Sequence, residues 1–341
     1  MRVVLRLTVA VLAGILLVSC GVDRGKWANP QRTHLAPDAG FGGTSGPPTT
    51  SGAKPTTTTS RTSAGAAFTL DALREVDPCG LMAEKTLKGL GEPAENRLRD
   101  YAQCSNYMKD TRGKDLNFTL TIGETATVKP DGKTVGGLPL AQTELDDHTA
   151  CFLTAITDTN ANQGITVQTG TRDASDSCTP GRALLEAAVN RIREGAPELK
   201  VDNRTLRALE PCTLFSNAVL ETVVGTGPRT RPNGLHGCGW NGDDVSFSLR
   251  FRIAMKPDDL AETSKTTPVN LGDGVTAQQL NEVKTGARCR LEWAHAAFPG
   301  DNERAEVVSL EFSRYSAKAG EDVCAKTQTV AKSLIPRLPK R

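Results

Sequence analysis

Glu75-Val76-Asp77-Pro78-Cys79-Gly80-Leu81-Met82 returns later in the chain as Ala208-Leu209-Glu210-Pro211-Cys212-Thr213-Leu214-Phe215. Each stretch runs acid, proline, cysteine, then apolar residues two and three positions past the cysteine. Leu87 and Leu90 lie eight and eleven past Cys79, and Leu220 and Val223 lie eight and eleven past Cys212. That spacing is helical. Asp77-Pro78 and Glu210-Pro211 suit helix starts, since the N–H that proline lacks has no partner in a first turn anyway. Two stretches that agree this closely predict one module present twice.

The agreement continues downstream. Cys104 and Cys238 each begin a short strand. Leu116-Asn117-Phe118-Thr119-Leu120-Thr121-Ile122 matches Val245-Ser246-Phe247-Ser248-Leu249-Arg250-Phe251, both alternating as strands with one buried face. A glycine turn follows in each copy, Gly136-Gly137-Leu138 and Gly272-Asp273-Gly274, and reads as a crossover. The third cysteines open further strands, Cys151-Phe152-Leu153-Thr154-Ala155-Ile156 and Cys289-Arg290-Leu291-Glu292-Trp293. Ile165-Thr166-Val167 and Val307-Val308-Ser309-Leu310-Glu311-Phe312 supply the last strands. Leu184, Leu185, Ala188, Val189 and Ile192 sit 6, 7, 10, 11 and 14 past Cys178, and Val330, Ala331, Leu334, Ile335 and Leu338 hold the same offsets past Cys324. Five apolar positions in register on a 3.6-residue period predict a helix after each fourth cysteine, with Pro336 kinking or stopping the second.

The expected fold is therefore α+β, two copies of a small antiparallel-sheet module with N- and C-terminal helices packed on one face. Module 1 spans 68–195, a linker 196–204, and module 2 205–341, with Gly195-Ala196-Pro197-Glu198-Leu199-Lys200 as the joint. Each module holds four cysteines, and self-contained pairing leaves three connectivities per module. Joining first to second and third to fourth is the preferred one: Cys79–Cys104, Cys151–Cys178, Cys212–Cys238 and Cys289–Cys324. Each bond then staples a helix start to a strand start and closes a loop of roughly 25–35 residues, about 3–4 kcal/mol in the chain-entropy model.

The ninth cysteine is accounted for at the other end. Arg2 and Arg6 precede an apolar run, Leu7 to Val18, and Leu17-Val18-Ser19-Cys20 closes it. The charged, apolar, small-residue order is that of a secretory signal over residues 1–19, and the run is shorter than the roughly 20 residues a membrane span needs. The box resembles that of bacterial lipoproteins, which implies lipidation of Cys20 by palmitate-type acyl chains and a chain held on the extracytoplasmic side of the cell membrane. Such an address is one where disulfides persist. Residues 20–67, rich in Thr, Pro, Gly and Ser, read as a disordered tether without apolar periodicity. A coil of that length spans on average about 35–40 Å. Its basic residues Arg24, Lys26, Arg32, Lys54 and Arg61 outnumber Asp23 and Asp38.

Removing Arg2 and Arg6 with the signal leaves basic and acidic residues equal at 39 each. A neutral chain with 4% aromatics argues against nucleic acid, which calls for a basic surface or stacking platforms.

Asp77-Pro78-Cys79-Gly80-Leu81, Cys238-Gly239-Trp240 and Leu271-Gly272-Asp273-Gly274 together resemble a domain family of unknown function found in actinobacterial lipoproteins, whose members carry Asp-Pro-Cys-x-Leu, Cys-x-Trp and a Gly-Leu-Gly-Asp-like turn. The first copy departs with Cys104-Ser105-Asn106, and the second with Glu210 in place of aspartate. The resemblance implies a fold and a cellular address and transfers no catalytic residue.

No catalytic, cofactor or metal signature stands out. His34, His148, His236 and His295 form no His-Glu-x-x-His, and there is no Gly-x-Ser-x-Gly elbow or Cys-x-x-Cys. Asp146-Asp147-His148 is the one acid–histidine cluster and reads as a solvated turn before Cys151. Trp240 and Trp293 read as core anchors, with an exposed binding role for Trp240 as the lesser alternative. The expected function is a non-catalytic envelope lipoprotein, held on the membrane through Cys20, that binds a partner protein or ligand, the groove between the two modules being one place for it. The alternatives are an apolar-ligand carrier and a cell-wall or lipid hydrolase using Asp146, Asp147 and His148.

Overall fold

The computed structural model describes residues 65–172, 175–199 and 205–340. The signal, Cys20, most of the tether, and the linker beyond Leu199 lie outside the described residues. Those described fall in one compact unit built on two antiparallel sheets.

In the first half, α1 (Leu70–Arg74), α2 (Pro78–Leu81) and α3 (Glu84–Leu90) precede β1 (Gly91–Glu92), β2 (Arg97–Asp100), β3 (Gln103–Asp110), β4 (Asp115–Thr125), β5 (Thr134–Val135), β6 (Leu138–Glu144), β7 (Ala150–Asp158), β8 (Gln163–Thr171) and α4 (Cys178–Gly195). The second half holds α5 (Asn217–Val224), β9 (Arg229–Pro232), β10 (Gly237–Asn241), β11 (Val245–Met255), α6 (Ala261–Ser264), β12 (Thr267–Gly272), β13 (Val275–Val283), β14 (Ala287–Ala297), β15 (Arg304–Arg314) and α7 (Val323–Leu334). The sheets run β1-β3-β4-β8-β7-β6-β5, with β2 also on β3, and β12-β13-β14-β15-β11-β10-β9. Read from its other edge, the second order matches β2-β3-β4-β8-β7-β6-β5 strand for strand.

Alternation decides which face is inside. Leu116, Phe118, Leu120 and Ile122 on β4 are buried between half-buried Asn117, Thr119 and Thr121, and Val245, Phe247, Leu249 and Phe251 do the same on β11. Helix α4 packs on β7 and β8, and α7 on β14 and β15. Each half has its own apolar core, one around Phe118, Leu153 and Leu184 and the other around Trp240, Trp293 and Phe312. The bonds Cys79–Cys104, Cys151–Cys178, Cys212–Cys238 and Cys289–Cys324 each tie a helical turn to a strand.

Several local expectations need correction. The helix started by Asp77-Pro78 is two short helices. Asp77 caps α2, accepting from the Cys79 amide at 2.9 Å, but Asn96 Nδ2 donates to the carbonyls of Cys79 (3.2 Å) and Met82 (3.0 Å). Carbonyls satisfied from outside no longer favour continuation, and α3 restarts after Ala83. In the second copy Pro211–Thr213 is a single 3-10 turn, and Ser216 caps a separate α5. The glycine turns are hairpin turns rather than crossovers. Gly136 and Gly137 lie at φ +53° and +75°, and Asp273 and Gly274 at +50° and +72°, the two-residue geometry that requires positive φ twice. The crossings are the segments before them, 126–133 and 256–266. Hence the first sheet carries four strands beyond the four read per module (β1, β2, β5 and β6) and the second three (β9, β12 and β13). Pro336 ends α7 at Leu334, leaving a 3-10 turn. The joint is not free either, because Val76 bridges Glu198 and the Asp77 amide donates to Pro197 O at 2.7 Å.

Candidate functional site

The Asp146-Asp147-His148 cluster lies on the exposed turn joining β6 to β7. His148 takes φ +56°, and its Nδ1 is 2.9 Å from Glu144 Oε1. That hydrogen bond raises the imidazole above its ordinary value. Asp147 Oδ1 accepts from the Thr149 hydroxyl (2.6 Å) and amide (3.0 Å), which hold its carboxyl below the usual range. The acid that meets the histidine is therefore Glu144, not a member of the triplet, and the turn is closed on itself in solvent. Among the described residues, no group of three or more His, Cys, Asp or Glu side chains converges as a metal site. Trp240 and Trp293 are both buried, so an exposed binding role for Trp240 is excluded.

Open clefts are modest. One of about 240 Å³ is lined by Asp110, Arg112, Lys114, Asp115 and Asp176. Another of about 310 Å³ lies against Val283, Glu321 and Asp322.

The dense chemistry lies instead in the seam where the two halves meet, and it is nearly reciprocal. Arg74 stands five before Cys79 and Arg207 five before Cys212, and both are buried. Arg74 Nε donates to Leu235 O at 3.0 Å and its Nη2 pairs with Glu210. Arg207 Nη1 donates to Leu199 O at 2.7 Å and its Nη2 pairs with Glu75. Each arginine thus crosses to an acid of the other half. Tyr101, three before Cys104, sits in the core of the second half, while Leu235, three before Cys238, sits in the core of the first. A Cβ on Gly123, at φ +77°, would fall 2.6 Å from the Leu235 side chain, so glycine makes room for the swap.

Polar groups around Tyr101 complete the seam. Its hydroxyl donates to Glu306 Oε1 at 2.5 Å. Glu306 also accepts from the Thr205 hydroxyl and, at 3.2 Å, from the Leu206 amide. Burial and the neighbouring carboxylate push the Tyr101 phenol far above its ordinary value. Asp100 accepts from the Tyr101 amide at 2.8 Å and the Ile253 amide at 2.9 Å. Burial raises its carboxyl, against the pull of Arg250 3.5 Å away. The His236 ring lies 5.0 Å from that of Tyr101. Burial, reinforced by Arg74, Arg207 and Arg250, pushes its pKa down to about 3, so the ring is neutral.

No seam residue is marked in the sequence as joining the halves; Glu75, Leu199, Glu210 and His236 stand out there for other reasons. The signal was present, since Leu73-Arg74 and Leu206-Arg207 extend the internal match by two positions in register, but nothing in one strand of text shows that the arginines cross over. Comparisons with protein-family models, curated proteins and solved structures find nothing that matches this chain.

Proposed function

We propose that the chain is a lipid-anchored, non-catalytic protein of the cell envelope, a duplicated module with its helices on one face of each sheet, which presents the pair as one rigid body to a binding partner. The observation that carries this reading is the seam. Buried Glu306, Tyr101, Arg74 and Arg207, with half-buried Asp100, are bonded across the two halves to side chains and backbone. Groups held this way join surfaces and offer no nucleophile beside a base. Among the described residues, the exposed His148 pairs with partly exposed Glu144 on a turn. Filled cores, with Trp240, Trp293, Phe118 and Phe247 fully enclosed, weigh against an apolar-ligand carrier.

In-cell crosslinking followed by pull-down tests the reading. Wild type should capture envelope components that Cys20→Ala, released from the membrane, captures less well. Turnover of an envelope substrate by the purified chain, lost on mutating His148, would overturn it in favour of a hydrolase.

A further inference from the structure

Equivalent strands of the two sheets permit a position-by-position comparison of the faces turned away from the cores. On the first sheet, register places Ser105, Thr119, Gln168 and Phe152 in one row and Gln103, Thr121, Thr166 and Thr154 in the next. In these rows the charges stand at the edge, Arg97 opposite Ser105 and Asp100 opposite Gln103. On the second sheet the matching rows are Gly239, Ser248, Glu311, Arg290 and Arg250, Ser309, Glu292, with Arg231 opposite Gly239 at the edge. A third row adds Ser246, Ser313 and Arg288, with Glu282 opposite Arg288. Thr121 is thus replaced by Arg250, Phe152 by Arg290, and Ala150 by Arg288. The fold does not demand a charge at these three positions, because the first sheet has Thr121, Phe152 and Ala150 there.

The second face is a floor of glycine and serine rimmed by arginines. Arg288 is braced by Glu311 and Arg252 by Glu292, each at 2.5 Å, and Arg290 Nε lies 3.6 Å from Glu292. Glu282 also lies 3.8 Å from Arg288, and most of these acids brace guanidinium groups from within the sheet, which leaves the excess positive charge on the exposed arginines. Arg250 is 59% exposed beside Asp100, and Arg229 is 68% exposed beside Asp243 at 3.7 Å. Arg231 is exposed at the open edge of the sheet. Planar forks with several donors match phosphate oxygens better than the point charge of lysine does. At about 4.8 Å per strand, the rimmed area is roughly 20 Å across, a flat surface rather than a pocket.

We propose that this arginine-rimmed face of the second sheet docks on the anionic phospholipid headgroups of the bilayer that holds Cys20. The proposal rests on the lipid-anchor reading above. Charge complementarity selects an anionic occupant, and the chain's own sequence selects the bilayer. Residues 21–64 stand in sequence between Cys20 and the described unit and carry more basic than acidic side chains. Tethering raises the local headgroup concentration, so a contact that is weak in free solution becomes populated.

The test uses the full mature chain carrying Cys20→Ala, so that no acyl chain contributes, in co-sedimentation with vesicles of phosphatidylcholine alone or with 30% phosphatidylglycerol. Binding should occur to the anionic vesicles only and weaken with salt. Arg231→Gln and Arg250→Gln should each lower partitioning about fivefold, the equivalent of about 1 kcal/mol per cation near an anionic surface. Ser248→Glu, which removes no contact and adds a charge to the floor, should lower it at least as much with an unchanged melting temperature. Arg97→Gln, at the matching edge of the first sheet, should change nothing. Equal binding to both vesicle types, indifference to these substitutions, or binding to a soluble acidic polysaccharide in place of vesicles would overturn the proposal. Palmitate labelling of wild type but not Cys20→Ala in cells tests the anchor separately. Its failure would remove the anchor while leaving the vesicle result to be judged by itself.

Discussion

Tyr101→Phe isolates the contribution of one hydroxyl to the union of the two halves. Phenylalanine keeps the ring that fills the second core and removes only the donor 2.5 Å from Glu306 Oε1. Hydrogen bonds to charged groups contribute about 1.5–3 kcal/mol, and Glu306 keeps Thr205 and the Leu206 amide, so the loss should lie inside that range. If the roughly 280 residues of the compact unit melt together, an unfolding entropy of about 2.1 cal/mol/K per residue converts the loss to a fall of roughly 3–5 °C. Calorimetry should show one transition, shifted whole. The pH dependence carries a second signature. The folded phenol is raised and stays protonated, whereas the unfolded one ionises near pH 10. Wild-type stability from this group is therefore full below pH 10 and lost above it, and the Phe variant should lack that loss. Two separate transitions, with only one displaced, would refute the reasoning, because Tyr101 belongs in sequence to one half and in space to the other.

Four further outcomes follow from the same contacts. Buried His236, with its pKa near 3, refuses a proton that the unfolded chain accepts below pH 6.5. Wild-type stability, measured by urea unfolding against His236→Leu, should accordingly fall by about 1.4 kcal/mol per pH unit as pH drops from 6.5 toward 3; a pH-independent difference would show that the ring is solvated. Leu235→Ala, which empties a site in the first half's core, should cost about 2–5 kcal/mol and lower the whole transition in calorimetry, whereas softening of the second half alone would contradict the swap. Non-reducing peptide maps should join Cys79 to Cys104 and Cys289 to Cys324, and a Cys104–Cys151 peptide would contradict the structure. His148→Ala, on an exposed turn, should change stability by less than about 0.5 kcal/mol, and a larger loss in thermal unfolding would mean that the turn packs on something.

The sequence made the strands and helices legible wherever burial is periodic. Phe118 and Phe247, or Leu184 and Val330, announce their faces because every second residue, or every third and fourth, must avoid water. The edge strands were illegible for the opposite reason. Arg229-Thr230-Arg231-Pro232 is exposed throughout, and a strand with no buried face leaves no alternation to read. The split of the first helix was hidden because its cause, Asn96, lies beyond the helix and acts through carbonyls. Gly136-Gly137 was recognised as a turn, but whether a turn closes a hairpin or a crossing depends on what pairs beyond it, which is a property of the sheet.

The seam was hidden most completely, and its logic explains why the halves resemble each other where they do. Arg74 and Arg207 occupy one position of the module, and Tyr101 and Leu235 another. A residue that crosses to the other half must meet a surface that is nearly a copy of the one it left. Such a position is constrained twice, by its own module and by its neighbour, so a change in one copy calls for a compensating change in the other. Glu75 and Glu210 show this. They lie at different positions of the two copies, yet each meets the arginine sent from the opposite half. On the outward faces matched positions differ instead: Thr121, Phe152 and Ala150 of the first sheet stand where the second has Arg250, Arg290 and Arg288. Where two halves of one chain are held alike inside and left to differ outside, the difference is the part of the surface free to acquire a task.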